Sequence, residues 1–182
     1  LVIVSGRSGS GKTSALNILE DVGFTCIDNL PASLLPNLIK ELNSEDSRGN
    51  SQLTLIENGA TETIAYETKL AVGIDARNIV GDLNKLPEIL SKLEAGGIDV
   101  SVLFLQARRS ELIRRYSETR RKHPLSCGDI SLPEAIDLEE KMLSPILNIS
   151  DRNLDTSGLS LHQLRDLVKN TIDPKSTDHM SI

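Results

Sequence analysis

Aromatic side chains are scarce in this chain of 182 residues, which has no Trp, two Tyr and two Phe. Proteins that bind single-stranded nucleic acid with little sequence preference stack successive bases on aromatic side chains. Such stacking platforms are almost absent here, which argues against this chain as the principal RNA-binding part of a protein. The formal net charge of −6 also argues against a protein that coats nucleic acid over its whole surface.

Cysteines and long apolar runs are also scarce. Cys26 and Cys127 are far apart in sequence and do not have the spacing of metal ligands. No apolar run reaches the roughly 18 residues that a membrane-spanning helix needs, and no signal peptide is visible. With 38% hydrophobic and 25% charged residues, the composition is that of an ordinary globular domain. We therefore expect one soluble domain in the reducing environment of the cytoplasm.

A glycine-rich segment near the start matches the phosphate-loop pattern G-x-x-x-x-G-K-[ST] in full. An apolar, β-branched run at residues 1–4 precedes it, and apolar residues at helical spacing follow it between 15 and 22. A strand, a glycine loop and a helix in this order direct backbone amides and the positive end of the helix dipole at one anion. Lys12 is predicted to reach the β- and γ-phosphates and to act in catalysis, and the Thr13 hydroxyl to bind Mg²⁺. The predicted nucleotide-binding loop consists of Gly6, Arg7, Ser8, Gly9, Ser10, Gly11, Lys12 and Thr13.

Strands and helices alternate along the remainder of the chain. Strands are predicted at 24–28, 70–74 and 100–105, with a weaker, more polar candidate at 149–155. Helices are predicted at 31–42 and 83–93, and two more begin at capping-box signatures, Ser131-x-x-Glu134 and Ser160-x-x-Gln163. Such alternation is typical of a parallel sheet, here of four to five strands, with helices on both faces. We therefore predict an α/β fold of the P-loop NTPase class, kinase-like, over residues 1–172.

Two segments are predicted to lie outside this core. Residues 43–68 are polar and are predicted to form a long surface insertion, with a short strand or hairpin around 53–56. Residues 173–182 form a polar tail.

Two acidic residues end predicted strands, Asp28 and Asp75. Ligands of parallel sheets bind at the carboxyl ends of the strands, where a carboxylate can hold the Mg²⁺ that bridges nucleotide phosphates. We favour Asp75 for this metal-binding and catalytic role, with Asp28 as the competing candidate, although a strand-ending Asp is also common as a turn former. Arg77 and Asn78 follow Asp75 at once and add a cation and an amide beside the phosphates.

An arginine-rich segment, defined here as residues 106–128, follows the fourth predicted strand. It admits three interpretations: a lid over bound phosphates, an RNA-backbone contact, or a solvated helix face. We favour the lid, with Arg115 and Arg121 as catalytic residues, because the segment leaves the carboxyl end of a strand. His123, at the end of the basic run, is predicted to be structural rather than a general base. The basic residues are Arg108, Arg109, Arg114, Arg115, Arg120, Arg121 and Lys122, against Glu111 and Glu118.

Seven motifs occur in order along nearly the whole chain: Gly6–Thr13, Leu19–Phe24, Asp28–Pro31, Asp75–Asn78, Leu112–Ser117, Thr119–Leu125 and Asp155–Ser157. Together they resemble the RapZ/YvcJ family of bacterial P-loop nucleotide-binding proteins, the RNase adapter proteins. The resemblance implies binding and weak hydrolysis of ATP and GTP with Mg²⁺. It also implies that the D-x-R-N element Asp75, Ala76, Arg77 and Asn78 contacts guanine nucleotides.

The resemblance extends to partners. In enteric members the protein presents a small regulatory RNA to an endoribonuclease and so tunes amino-sugar synthesis. Family members carry a second, C-terminal domain associated with RNA binding and oligomer assembly, and the sequence ends before it. A homo-oligomer is expected for the full-length protein. Two other hypotheses remain: an RNA-binding adapter whose nucleotide site is only a switch, and a small-molecule kinase.

Overall fold

The computed structural model describes residues 1–46, 52–57, 60–65, 69–77, 80–126 and 129–172, with side chains described outside 43–68 and 78–81. A 3-10 turn at Ala32–Leu34 precedes the second helix. In chain order the strands and helices are β1 (Val2–Gly6), α1 (Lys12–Glu20), β2 (Thr25–Ile27), α2 (Leu35–Asp46), β3 (Gln52–Glu57), β4 (Ala60–Ala65), β5 (Leu70–Ile74), α3 (Val80–Ala95), β6 (Ser101–Gln106), α4 (Arg109–Thr119), α5 (Leu132–Asn148), β7 (Arg152–Asp155) and α6 (Leu161–Ile172).

The main sheet has five strands in the order β2-β5-β1-β6-β7, and every neighbouring pair is parallel. β1 and β5 are buried along their whole length, as expected for central strands that are covered on both faces. Helices α2, α3 and α5 pack on one face, around Leu35, Leu86 and Leu143. Helices α1 and α6 pack on the other face, around Leu16 and Val168. The predicted fold class is therefore confirmed.

The polar segment at 149–155 does contain a strand, β7. It pairs with β6, Leu105 opposite Leu154, and forms an edge of the described sheet. Leu154 is its only buried residue. An edge strand needs few apolar residues because much of it faces solvent, which explains why its pattern is weak.

The segment 43–68 begins inside α2, which runs four residues beyond its predicted end at 42. β3 and β4 then form a separate antiparallel pair, Leu53 opposite Ile64, so the predicted hairpin is confirmed. Whether the side chains of 43–68 lie on the surface falls outside the described residues, as do the tail at 173–182 and Cys127. No helix in the described ranges is both long and apolar enough to cross a membrane.

Both predicted capping boxes are present. The Ser131 amide donates to Glu134 Oε2 at 2.9 Å, at the start of α5. The Ser160 amide donates to Gln163 Oε1 at 2.9 Å and the Gln163 amide donates back to Ser160 Oγ at 3.3 Å, at the start of α6. These reciprocal bonds satisfy amides that have no partner within the helix. They fix where α5 and α6 begin, beside the carboxyl ends of the strands.

Candidate functional site

The phosphate loop leaves β1 and is shaped by its glycines. A Cβ on Gly6 would lie 2.1 Å from the Leu105 carbonyl oxygen, so no larger residue fits beside β6. Directly after it, the Arg7 amide donates to the same carbonyl at 3.1 Å. Gly11 has φ of 99°, a left-handed conformation that favours glycine, and it turns the chain into α1.

The loop amides fall into two sets. Three are bound to protein acceptors: Arg7 to Leu105, Ser8 to Glu139 Oε2 at 2.8 Å, and Ser10 to the Arg7 carbonyl at 2.9 Å. α1 has no side-chain cap on its N-terminus. Five amides of the loop and the first turn of α1 therefore have no acceptor among the described residues and are free to bind an anion. They belong to Gly9, Gly11, Lys12, Thr13 and Ser14.

Lys12 lies between the two acids that end β2 and β5. Its Nζ pairs with Asp28 Oδ1 and lies 3.2 Å from Asp75 Oδ2. The Asp75 side chain is buried and that of Asp28 is 38% exposed. A Cβ on Gly73 would lie 2.5 Å from Asp28 Oδ1, so this glycine of β5 gives the Asp28 carboxylate its space. The structure thus brings both predicted metal acids to the phosphate-loop lysine.

Asp75 is also held by Arg77. The Arg77 Nη2 lies 2.6 Å from Asp75 Oδ2, its Nε 3.1 Å from Oδ1, and its amide 2.9 Å from Oδ1. Burial alone would raise the pKa of Asp75. The hydrogen bonds from Arg77 and the charges of Lys12 and Arg77 outweigh that effect and hold its pKa below the usual value. Asp75 is therefore ionised at neutral pH.

The location of Asp75 helps to decide between the two roles predicted for the D-x-R-N element, metal binding and guanine contact. Asp75 and Arg77 lie at the lysine end of the loop, where the terminal phosphates of a nucleotide are expected. That placement favours the predicted metal role of Asp75 over a guanine contact. Ala76 is buried and does not line the cavity, and Asn78 lies outside the described residues.

Arg115 on α4 braces the phosphate loop. Its Nη1 donates to the Gly9 carbonyl at 2.9 Å, its Nη2 to the Thr156 carbonyl at 2.7 Å, and its Nε pairs with Glu111 at 2.9 Å. Thr156, which is 1% exposed, donates its hydroxyl to the Ser10 carbonyl at 2.8 Å. The guanidinium thus ties α4 and the end of β7 to the loop.

Other basic residues of the segment lie in different surroundings. Arg114 is exposed and pairs with Glu111 and Glu118, which matches a solvated helix face. The Arg114 hydrogen bond is the main reason why the pKa of Glu111 is lowered to about 2. Arg121 and Lys122 line the cavity instead and have no ion-pair partner within the described ranges. The segment is therefore not a single charged surface.

A cavity of about 510 Å³ lies over the loop and contains most of the predicted site. Its lining has six cationic side chains and one carboxylate, Asp75, a balance that favours an anionic ligand. Gly6 and Ser10 are buried beneath the loop and do not line it. Asp28 does not line the cavity but pairs with Lys12, which does. The lining residues are Arg7, Ser8, Gly9, Gly11, Lys12, Thr13, Ser14, Asp75, Arg77, Arg115, Tyr116, Thr119, Arg121, Lys122 and Pro124.

The residues present fit a magnesium ion shared with phosphates. The Thr13 hydroxyl at the first turn of α1 and the carboxylates of Asp75 and Asp28 are hard oxygen donors, the type of ligand that Mg²⁺ prefers. Among the described residues there is no cluster of three or more His, Cys, Asp or Glu side chains that would hold a metal alone. Mg²⁺ typically binds through one or two protein oxygens, water and substrate phosphates.

Sequence reasoning did not assign Ser14, Tyr116 and Thr119 of the cavity lining to the site, nor Glu139 beneath the loop. Glu139 is fully buried on α5 and binds Ser8 of the loop through both carboxylate oxygens. A signal was available, because Glu139 interrupts the apolar face of α5 formed by Ala135, Ile136, Leu143 and Ile146. A glutamate in such a stripe indicates a buried, hydrogen-bonded carboxylate.

The chain is similar to known proteins both in sequence and in structure. A "Nucleotide-binding protein" of Cellvibrio japonicus is 47% identical over 182 residues, which are 100% of this chain and 55% of that protein. The crystal structure of the YorR protein in complex with phosphorylated GDP from Bacillus subtilis has a TM-score of 0.54 at 13% identity, covering 98% of this chain and 99% of that chain. Shikimate kinase from Bacteroides thetaiotaomicron has a TM-score of 0.50 at 14% identity, covering 93% and 94%.

At these identities the two structures establish a shared fold, that of P-loop kinases. The chain spans about half the length of the curated relatives it matches. The family model described as "RapZ-like N-terminal domain" matches residues 1–176. The chain therefore belongs to the RapZ-like N-terminal domain family.

Proposed function

We propose that this domain binds ATP and GTP with Mg²⁺ at the phosphate loop and hydrolyses them slowly. The observation that carries the proposal is the set of five free amides at the start of α1, next to Lys12 and inside a cavity lined by six cations. Amides and a lysine in this arrangement are the usual cradle for the phosphates of a nucleotide. Relatives that are described as nucleotide-binding proteins support the same class of ligand.

Different residues of the site would bind the phosphates and the metal ion. The free amides would hold the phosphate oxygens, and Lys12 would neutralise the β- and γ-phosphates once it leaves its present ion pairs with Asp28 and Asp75. Thr13 together with Asp75 or Asp28 would hold Mg²⁺, which supplies charge neutralisation across the β- and γ-phosphates. Arg121 and Lys122 line the same cavity and add two cations to it.

We expect slow turnover because the cavity lining offers no free carboxylate that could act as a general base. Asp75 is the one carboxylate in the lining of the described cavity, and Arg77 already occupies both of its oxygens. A water molecule would therefore find no strong general base, and catalysis would rest on charge stabilisation by Lys12 and Arg121. Arg115 would act mainly by bracing the loop.

Hydrolysis of this kind suits a regulatory role. We propose that the domain is the nucleotide-dependent part of a cytoplasmic RNase adapter linked to small-RNA control of amino-sugar metabolism. The regulatory RNA and the endoribonuclease would be engaged mostly by the rest of the protein, and the whole protein would be a homo-oligomer. The scarcity of aromatic residues in this domain supports that division.

One observation favours a second candidate, a small-molecule kinase. Arg121 and Lys122 add two cations to the cavity and pair with no acid within the described ranges, so an anionic phosphoryl acceptor has partners available. In a third arrangement the nucleotide acts only as a switch for RNA binding and is not consumed.

³¹P NMR of the protein with MgATP and with MgGTP separates these functions. Release of inorganic phosphate supports hydrolysis, and shifted nucleotide resonances without turnover support a switch. A new phosphoester signal after addition of cell metabolites supports a kinase. Spectra identical to those of the free nucleotides would contradict nucleotide binding, and Lys12→Ala provides the matched negative sample.

A further inference from the structure

Glu139 is a fully buried carboxylate in the middle of α5, with 0% of its surface exposed. Its Oε1 accepts the Ser8 hydroxyl at 2.5 Å and its Oε2 accepts the Ser8 amide at 2.8 Å. His123 Nε2 lies 3.2 Å from the same Oε2. A carboxylate away from water is costly to bury, and here its hydrogen bonds join two separate elements.

The hydrogen bonds of His123 define its tautomer. The Leu125 amide donates to His123 Nδ1 at 3.2 Å, so Nδ1 is an acceptor and carries no proton. The proton of the neutral ring is then on Nε2, which donates to Glu139. The ring is 2% exposed and lies 5.2 Å from the ring of Tyr116, so it has little freedom to turn.

His123 closes the short segment that carries two cavity cations. α4 ends at Thr119, and the next residue, Arg120, is in a left-handed conformation with φ of 51°. Arg121 and Lys122 follow and line the cavity, and the His123 carbonyl then accepts the Ser126 amide at 2.9 Å in a turn. The Arg121–Lys122 segment is thus held at one end by α4 and at the other by the His123 ring.

We propose that Glu139 and His123 are positioning residues that couple the phosphate loop to the Arg121–Lys122 segment, so that a nucleotide in the loop sets where these two cations lie. The path is continuous: Ser8 in the loop, the Glu139 carboxylate, the His123 ring and the two residues before it. The inference rests on the proposed nucleotide site. It adds a link between that site and the arginine-rich segment.

The direction of the Ser8 amide gives the coupling its physical basis. The Ser8 amide donates to Glu139 and is therefore not available as a donor to the phosphates, unlike the five free amides. When phosphates bind the Gly9 amide and shift the backbone there, the adjacent Ser8 shifts with it. The Glu139 carboxylate, which is bonded to both Ser8 and His123, transmits that displacement to His123. Packed interiors transmit small shifts of this kind because they hold few voids.

The test is a nucleotide titration of ¹⁵N-labelled protein with the Mg²⁺ complex of a non-hydrolysable ATP analogue. The Gly9 amide reports on the loop, and the Leu125 amide, which is outside the cavity lining, reports on His123. In the parent protein we expect both signals to shift with the same apparent Kd. In Glu139→Ala, which removes both oxygens that join Ser8 to His123, we expect Gly9 to shift as before and the response of Leu125 to be lost.

Two further variants make the result specific. His123→Asn keeps an acceptor for the Leu125 amide but is too short to reach Glu139, so it should also lose the Leu125 response; it replaces Glu139→Ala if that variant does not fold. Asp137→Ala likewise removes a carboxylate from α5, but an exposed one that pairs with Arg109, and it should respond like the parent.

The outcomes separate this inference from the function on which it rests. If Gly9 shifts and Leu125 responds equally in the parent protein and in Glu139→Ala, the coupling is wrong and the nucleotide site stands. If Gly9 in the parent protein shows no response to the analogue, the nucleotide site is wrong and the coupling falls with it.

Discussion

The Lys12 ammonium lies 3.2 Å from Asp75 Oδ2 and also pairs with Asp28, so one cation is shared by the acids that end two adjacent strands. Arg77 supplies the second positive charge of the group. Two carboxylates and two cations leave no net charge to attract phosphates at this point. A triphosphate that takes Lys12 therefore leaves carboxylates beside its own negative charge unless a metal ion enters with it.

This arrangement predicts strong Mg²⁺ dependence. Removing Mg²⁺ with a chelator should lower ATP and GTP affinity at least about tenfold, or about 1.4 kcal/mol, because phosphates and acids then repel. Asp75→Asn should abolish hydrolysis, keep most of the Mg²⁺-independent binding and show a smaller loss on chelation. Calorimetry with and without Mg²⁺ measures the affinities, and phosphate release measures the turnover.

Asp28→Asn is the matched comparison because Asp28 contacts the same ammonium from β2. If Asp75 holds the metal, Asp28→Asn should retain hydrolysis. Loss of hydrolysis in Asp28→Asn, with Asp75→Asn active, would show that Asp28 is the metal ligand.

The arginines of α4 and its C-terminal extension should have separable effects. Arg115→Ala removes the donor to the Gly9 and Thr156 carbonyls and should lower the free energy of unfolding by about 2–3 kcal/mol. Arg114→Ala removes an exposed side chain whose ion pairs are with Glu111 and Glu118, and it should cost much less than Arg115→Ala. Arg121→Ala should leave stability unchanged and cut turnover about a hundredfold. Urea unfolding and phosphate release test these three effects, and parent-like turnover in both Arg115→Ala and Arg121→Ala would refute the lid interpretation.

Gly6 should be far more sensitive to substitution than another glycine with a positive φ. A Cβ at Gly6 meets the Leu105 carbonyl oxygen at 2.1 Å, so Gly6→Ala should destabilise the fold by more than about 4 kcal/mol or prevent folding. Gly23 has φ of 92°, and an added methyl group would meet nothing within 4 Å, so Gly23→Ala should cost only the left-handed strain of about 1–2 kcal/mol. Thermal unfolding compares the two, and equal losses would contradict the close approach of β1 and β6.

Stability should fall in acid through Asp75 and Glu111. Both have a lowered pKa in the folded state, that of Glu111 about 2. Their contribution is complete above the unfolded-state values of about 4. It is lost as the pH falls through the lower folded-state values, because the unfolded chain then binds protons first.

Arg77→Met tests the Asp75 part of this prediction. The hydrogen bonds from Arg77 keep the pKa of Asp75 low, so the stability difference between parent and variant should be largest near pH 5 and shrink towards pH 2. Arg152→Met, at an exposed position on β7, is the control. A difference for Arg77→Met that stays constant from pH 5 to pH 2 would contradict the pairing.

The elements that the sequence predicted well are those with strong local signals. β5 was predicted at 70–74 and lies at Leu70–Ile74, because a buried parallel strand is apolar without interruption. The phosphate loop was predictable because its glycines are fixed by backbone geometry. The strand at 149–155 was uncertain because an edge strand with one buried residue carries little signal.

Side-chain roles that depend on tertiary contacts were harder to predict from the sequence. Arg114 and Arg115 are neighbours in sequence, yet one faces solvent and the other braces Gly9. Which of them faces the loop depends on how α4 packs, and charge count alone does not indicate it. Glu139 and His123 lie 16 residues apart and meet only in the folded chain.

The account depends most directly on Lys12 and the free amides around it. Calorimetric titration with MgATP and MgGTP should show binding to the parent protein and to Lys92→Ala, whose exposed lysine pairs with Glu88. Lys12→Ala should fold and lose at least about tenfold in affinity for both nucleotides, since the charge-assisted contact to the phosphates is gone. Undiminished affinity in a folded Lys12→Ala protein would contradict the assignment of this loop as the nucleotide site.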